Sequence, residues 1–138
     1  MGSNCAVWRR EVFANGLRFD RFFTDYGVLE DAHLALRARR NYRLVECGRA
    51  HCVHLRAKEG RVSARKVAFK GAVNYRFVFM DLVPQRTWMQ EFRFWRVQFV
   101  DLFRIIAYAL RSPSRGSWGV VLGKASGIVS AIFLKPRR

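Results

Sequence analysis

The chain has 138 residues, of which 51% are hydrophobic, 14% aromatic and 26% charged. That is one ordinary domain in size, and too apolar for a disordered tail, a collagen-like repeat or a mucin-like stalk. Lys+Arg number 26 against 10 Asp+Glu, a net charge of +16, which disfavours a neutral free globule and predicts an anionic partner such as nucleic acid, anionic lipid or a phosphorylated ligand.

The charge is uneven: residues 1–54 balance at +3 and residues 55–138 at +13. Three cysteines, Cys5, Cys47 and Cys52, make no disulfide framework and fit a reducing compartment. The opening MGSNCAVWRREVF lacks the apolar run of a signal peptide, and Ala6 breaks the myristoylation pattern. Cys47, His51, Cys52 and His54 invite a zinc site. Their spacing is too tight to wrap one ion in a tetrahedron, and no second ligand pair lies farther along, so buried thiols at a strand end are the simpler expectation.

In chain order, residues 4–8 read as a short strand. Arg9 to Asn15 read as a helix closed by Gly16, and Phe19 to Phe23 as an aromatic turn in which Asp20 serves as a turn or cap residue. A second helix is expected over about Leu29 to Arg40, where alanines and leucines supply the propensity, followed by strands at Tyr42 to Glu46 and Cys52 to Leu55. Val62 to Val83 read as a helix ended by Pro84. The next helix, about Gln85 to Leu110, has the clearest period. Trp88, Phe92, Trp95, Phe99, Leu102, Ile106 and Leu110 fall on one face, and Arg86, Arg93, Arg104 and Arg111 on the other. Ser112 to Ser117 read as a loop. Trp118 to Leu134 is an apolar stretch interrupted by Lys124 and weakened as a free helix by its glycines and serines.

An aromatic helix with an arginine stripe has two uses. It packs its apolar face on a core, or it lies in a membrane interface with arginines on anionic headgroups. The sequence leaves both open. The stretch 118–134 is too short and too charged for a span, so a surface-lying segment is expected, with the basic end Lys135 to Arg138 adding to lipid attraction. Nucleic acid is the less favoured partner, because a stacking platform needs aromatics among its cations and here the two are segregated.

The first part carries an ordered set of motifs: Gly2-Ser3-Asn4, Arg9-Arg10-Glu11-Val12-Phe13, Phe19-Asp20-Arg21-Phe22-Phe23, Glu30-Asp31 to Leu36-Arg37, Asn41-Tyr42-Arg43-Leu44 and Val53-His54. Together they resemble the second half of the catalytic domain of family 2 glycosyltransferases. The resemblance covers about residues 2–55 and extends only loosely to 56–110. Asn41 stands where the family usually has Gly, and Ala32-His33 follow the acidic pair where a third acid is frequent.

The resemblance implies an α/β chain: the C-terminal fragment of an inverting GT-A nucleotide-sugar transferase domain over residues 1–57, then a basic amphipathic helical tail over 58–138. It implies transfer of a sugar from a nucleotide-sugar donor to a polysaccharide or lipid-linked acceptor. Asp31 becomes the general base, because a neutral hydroxyl is a poor nucleophile until its proton is taken. Glu30 shapes the acceptor pocket or positions the base, Arg37 orients the acidic pair, and Gly2 and Ser3 border the acceptor. The departing diphosphate needs a divalent metal, Mg or Mn, to which His54 offers one ligand. A helix N-terminus favours ionised carboxylates, which helps Asp31, although an acidic pair there is often no more than dipole complementation.

The aspartates at 20, 25, 31, 81 and 101 include no Asp-x-Asp, so the nucleotide-binding half is expected elsewhere and this chain alone is expected to be inactive. The expected location is cytoplasmic, peripheral to the inner face of the cell membrane.

Overall fold

In a computed structural model, the described residues are 10–23, 27–45, 48–49 and 62–135. Every regular element among them is an α-helix: α1 (Arg10–Ala14), α2 (Glu30–Ala38), α3 (Ala64–Leu82), α4 (Trp88–Arg111) and α5 (Arg115–Ile132). This overturns the expected α/β, GT-A-type architecture. Residues 43–45 leave a turn after α2 without regular structure and without a partner strand among the described residues. Alternating side chains do not make a strand unless a neighbour takes up its backbone hydrogen bonds. The strands expected at 4–8 and 52–55, and the cysteine and histidine cluster at 47–54, lie outside the described residues.

The chain divides into two compact units, Met1–Phe22 with Glu30–Arg61, and Phe23–Leu29 with Val62–Arg138. In the first, α1 ends at Gly16, whose φ of 83° suits glycine and whose N–H donates to the Phe13 carbonyl at 3.0 Å. Asp20 forms the expected turn, its Oδ1 accepting from the Phe22 N–H at 2.8 Å. Helix α2 buries His33, Leu34 and Ala38 and leaves Leu36 exposed. It closes with the N–H groups of Asn41 and Tyr42 on the Ala38 carbonyl, and Asn15 Nδ2 donates to the Tyr42 hydroxyl at 2.6 Å.

The second unit is built on α3 and α5. Ser63 caps α3 by accepting from the Lys66 N–H. Of the residues expected to loop between α4 and α5, 112–114 do so, and Arg115 to Ser117 already start α5. Ser114 and Ser117 exchange hydrogen bonds as a capping box, each side chain accepting from the other's backbone N–H at 3.0 and 2.9 Å. The glycines expected to weaken this segment have a packing reason. Gly119, Gly123 and Gly127, four residues apart, line one face of α5. A Cβ on Gly127 would sit 2.6 Å from the Phe69 carbonyl oxygen and 2.9 Å from Ala72 Cβ, and one on Gly123 would collide with the Arg65 carbonyl. Bare backbone lets α5 lie directly on α3, as in small-residue helix pairs generally.

Lys124, which interrupts the apolar run, is 7% exposed and faces α4. Its Nζ donates to Gln98 Oε1 at 2.9 Å and pairs with Asp101 Oδ2 at 2.6 Å. The turn between α3 and α4 is fixed by Glu91. Arg76 Nη1 donates to it at 2.6 Å and Arg86 Nε at 2.9 Å, while Arg86 Nη1 also closes the α3 terminus on the Met80 and Val83 carbonyls. Arg86 therefore precedes α4 and does not belong to its arginine stripe. The Arg76 guanidinium lies over the rings of Phe79, Phe94 and Trp95 at 5.3–5.8 Å. Asn74 Nδ2 holds the Val28 carbonyl at 2.7 Å and Phe23 meets Phe77 edge-on at 5.5 Å, which fastens the 23–29 segment to α3.

Opposite signs follow for two glycines on one helix face. Gly123→Ala is expected to destabilise the chain by about 1–3 kcal/mol through overpacking. Gly119→Ala, whose new Cβ meets Arg65 Cβ at 3.8 Å, is expected to be neutral or stabilising by up to about 1 kcal/mol. Urea midpoints measure both. Burial alone would raise the Glu91 pKa, but hydrogen bonds and charge from Arg76 and Arg86 hold it below its ordinary 4.5. A lowered acid contributes stability above its unfolded value and loses it as pH falls through the folded value. Glu91→Gln should therefore cost about 1–3 kcal/mol at neutral pH, and this difference from wild type should shrink as unfolding is measured at increasingly acid pH below 4.5.

Candidate functional site

The acidic pair sits in the first turn of α2. Leu29, the residue before it, has φ 71° and is the non-glycine residue with positive φ among the described residues. A branched, bulky side chain in that region costs about 1–3 kcal/mol, and such strain gathers where a segment must be aimed. Asn41, which stands where the resembled family usually has Gly, does not adopt a positive φ.

The two carboxylates have different surroundings. Asp31 is exposed, while Glu30 is half-buried. Burial raises the Glu30 pKa, and the neighbouring charge of Asp31 raises it further. The pair thus offers one solvent-facing carboxylate beside one that is partly withdrawn from solvent. His33 and Leu34, directly behind them, are the two largest fully buried side chains and anchor the turn from inside.

Arg37 is not brought to the pair. It is half-buried, and its Nη1 reaches the Arg18 carbonyl at 3.5 Å; among the described residues it makes no ion pair with Glu30 or Asp31. Six residues along a helix place it nearly two turns away, and a turn-to-helix contact is closer than its own N-terminus. Gly2, Ser3 and His54 lie outside the described residues. Among those described, no group of three or more His, Cys, Asp or Glu is arranged to hold a metal ion. The acidic pair alone does not amount to a metal centre.

A second feature, absent from the sequence expectations, lies in the other unit. A cavity of about 610 Å³ is lined by Tyr75, Arg96, Gln98, Asp101, Arg104 and Lys124, among others. Lys124 is already neutralised by Asp101, whereas Arg96 and Arg104 are exposed and have no carboxylate partner among the described residues. The sequence signal was the lone cation inside an apolar run, together with Asp101 among arginines. Neither says that the two meet.

The aromatic face of α4 also lies where the sequence could not place it. Only Phe94, Gln98 and Ala109 of its 24 residues are buried. Trp95, Leu102 and Ile106 are half-buried, and Trp88, Phe92, Phe99 and Leu110 are exposed. No helix among the described residues is long and apolar enough to cross a membrane.

The influence of Asp31 on Glu30 gives a direct measurement. In Asp31→Asn the Glu30 titration, followed by carboxyl carbon NMR, should move down towards its ordinary value without reaching it, because burial remains the larger cause. An unmoved titration would mean the two carboxylates do not sense each other. The chain matches no protein-family model, no curated protein and no solved structure.

Proposed function

We propose that this chain is the acceptor-side part of an inverting, nucleotide-sugar-dependent glycosyltransferase, with Asp31 as its general base and a polysaccharide or glycolipid hydroxyl as acceptor. The observation that carries this reading is the unequal pair at the start of α2: an exposed Asp31 beside a half-buried Glu30 whose pKa is raised. The ordered motifs from Gly2 to His54 support it.

In this mechanism the acceptor oxygen attacks the anomeric carbon as its proton passes to a carboxylate oxygen of Asp31. The bond from that carbon to the diphosphate oxygen breaks, and its electron pair leaves with the nucleoside diphosphate, so configuration inverts. Glu30, beside the base, accepts a hydrogen bond from an acceptor hydroxyl and so holds the attacking hydroxyl against Asp31. A divalent metal held by a nucleotide-binding half would stabilise the charge on the leaving diphosphate. Gly2 and Ser3 border the acceptor. Both substrates meet at the cytoplasmic face of the cell membrane, where the protein acts peripherally.

The test pairs this chain with a nucleotide-binding half that carries an Asp-x-Asp. Radiolabelled sugar should be transferred by the mixture and not by this chain alone. Asp31→Asn should lower the rate by about 10²–10⁴-fold with acceptor affinity retained, and Glu30→Gln should cost less. Full activity in Asp31→Asn, or turnover by the isolated chain, would contradict the assignment.

A further inference from the structure

We propose that α4 is a membrane-docking helix that lies in the interface of an anionic bilayer, its exposed aromatic arc in the acyl boundary and Arg93, Arg96 and Arg104 on lipid phosphates. This names the surface behind the peripheral location given above, and it is independent of the chemistry at Asp31.

Position on the helix is the first support. At about 100° per residue, Trp88, Phe99, Phe92, Leu110 and Phe103 fall within an arc of roughly 60°. Trp88 is 75%, Phe92 58%, Phe103 67% and Leu110 66% exposed. The residues that α4 buries, Phe94, Gln98 and Ala109, lie on a different side. Of the strongest apolar stripe in the chain, Trp88, Phe92, Phe99 and Leu110 are therefore left exposed and Trp95, Leu102 and Ile106 only half-buried.

Charge complementarity decides the occupant. Arg96 adjoins one edge of the arc, and Arg93, Arg104 and Arg111 lie beyond Met89 and Val100 on the same side. None of these arginines has a carboxylate partner among the described residues, and no cation interrupts the arc itself. An apolar stripe with arginines along one flank is the arrangement of an interfacial helix, because aromatic rings settle at the acyl boundary while guanidinium groups stay at phosphate depth. A nucleic acid would need aromatics and cations interleaved. A second copy of this chain would bring the same arginines against themselves in a chain of net charge +16. At 24 residues, α4 is about 36 Å long, enough to lay the whole arc along a surface.

The full chain, wild type and variant, is floated with vesicles of phosphatidylcholine alone and of phosphatidylcholine mixed with phosphatidylglycerol. Binding to the mixed vesicles that weakens with added salt is the expected result, with little binding to phosphatidylcholine. The exposed triple variant Trp88→Ser, Phe92→Ser, Phe103→Ser should lose flotation while keeping the helical circular dichroism of the parent. Arg93→Gln, Arg96→Gln, Arg104→Gln should weaken it about a hundred-fold, roughly five-fold per arginine. Asp31→Asn should bind as wild type, which separates this proposal from the transferase assignment. The proposal is overturned by equal flotation on both vesicles, or by flotation that survives the aromatic triple variant. It also falls if the chain dimerises through Trp88 and Phe103, or shifts nucleic acid at matched salt, while ignoring vesicles.

Discussion

The second unit rests on the contact of bare glycine backbone with the α3 carbonyls. Gly123 and Gly127 let α5 approach Arg65 and Phe69 at a distance no side chain allows. That approach fixes the rotation of α5, and the rotation points Lys124 at α4. A buried ammonium is costly unless it is paired and hydrogen-bonded, and Gln98 and Asp101 supply both needs. The choice of which face α4 turns inward follows from this, since Gln98 must be buried for the bond to form. The aromatic arc is left outside as a consequence.

Polar ties add to a small apolar contact, in which Phe94 stacks on Phe79 at 4.7 Å and Ala109 is buried, to hold α4 in place. Its buried set includes a glutamine, and its start is clamped by Glu91 between Arg76 and Arg86. A helix fastened at its first turn and at one mid-helix network keeps most of its side chains free. That economy is consistent with a surface element whose remaining contacts are made to something other than its own unit.

In the first unit the acidic pair is unequal in burial: Glu30, at the first position of α2, is half-buried and Asp31 is exposed. Burial raises the Glu30 pKa, and the charge of Asp31 beside it raises it further.

The sequence by itself determined the helical periods of α2, α3 and α4, the glycine stop at Gly16, the Asp20 turn and the acidic pair at a helix start. Each is set by interactions within a few residues of chain, which a single sequence displays. The tertiary structure alone decided the rest. The glycines of α5 read as helix-weakening until the α3 backbone filled the space they leave, and Ser114 and Ser117 read as loop residues until they capped that helix. Arg86 was placed by spacing on α4 and Arg37 was assigned to the acidic pair by resemblance, yet each donates to a backbone carbonyl instead. The alternation at Tyr42 to Val45 pointed to a strand, but a strand is a property of two segments, and the described residues hold no second one. The period of α4 located an apolar face; which face would be covered depended on the distant Lys124, twenty-six residues beyond Gln98.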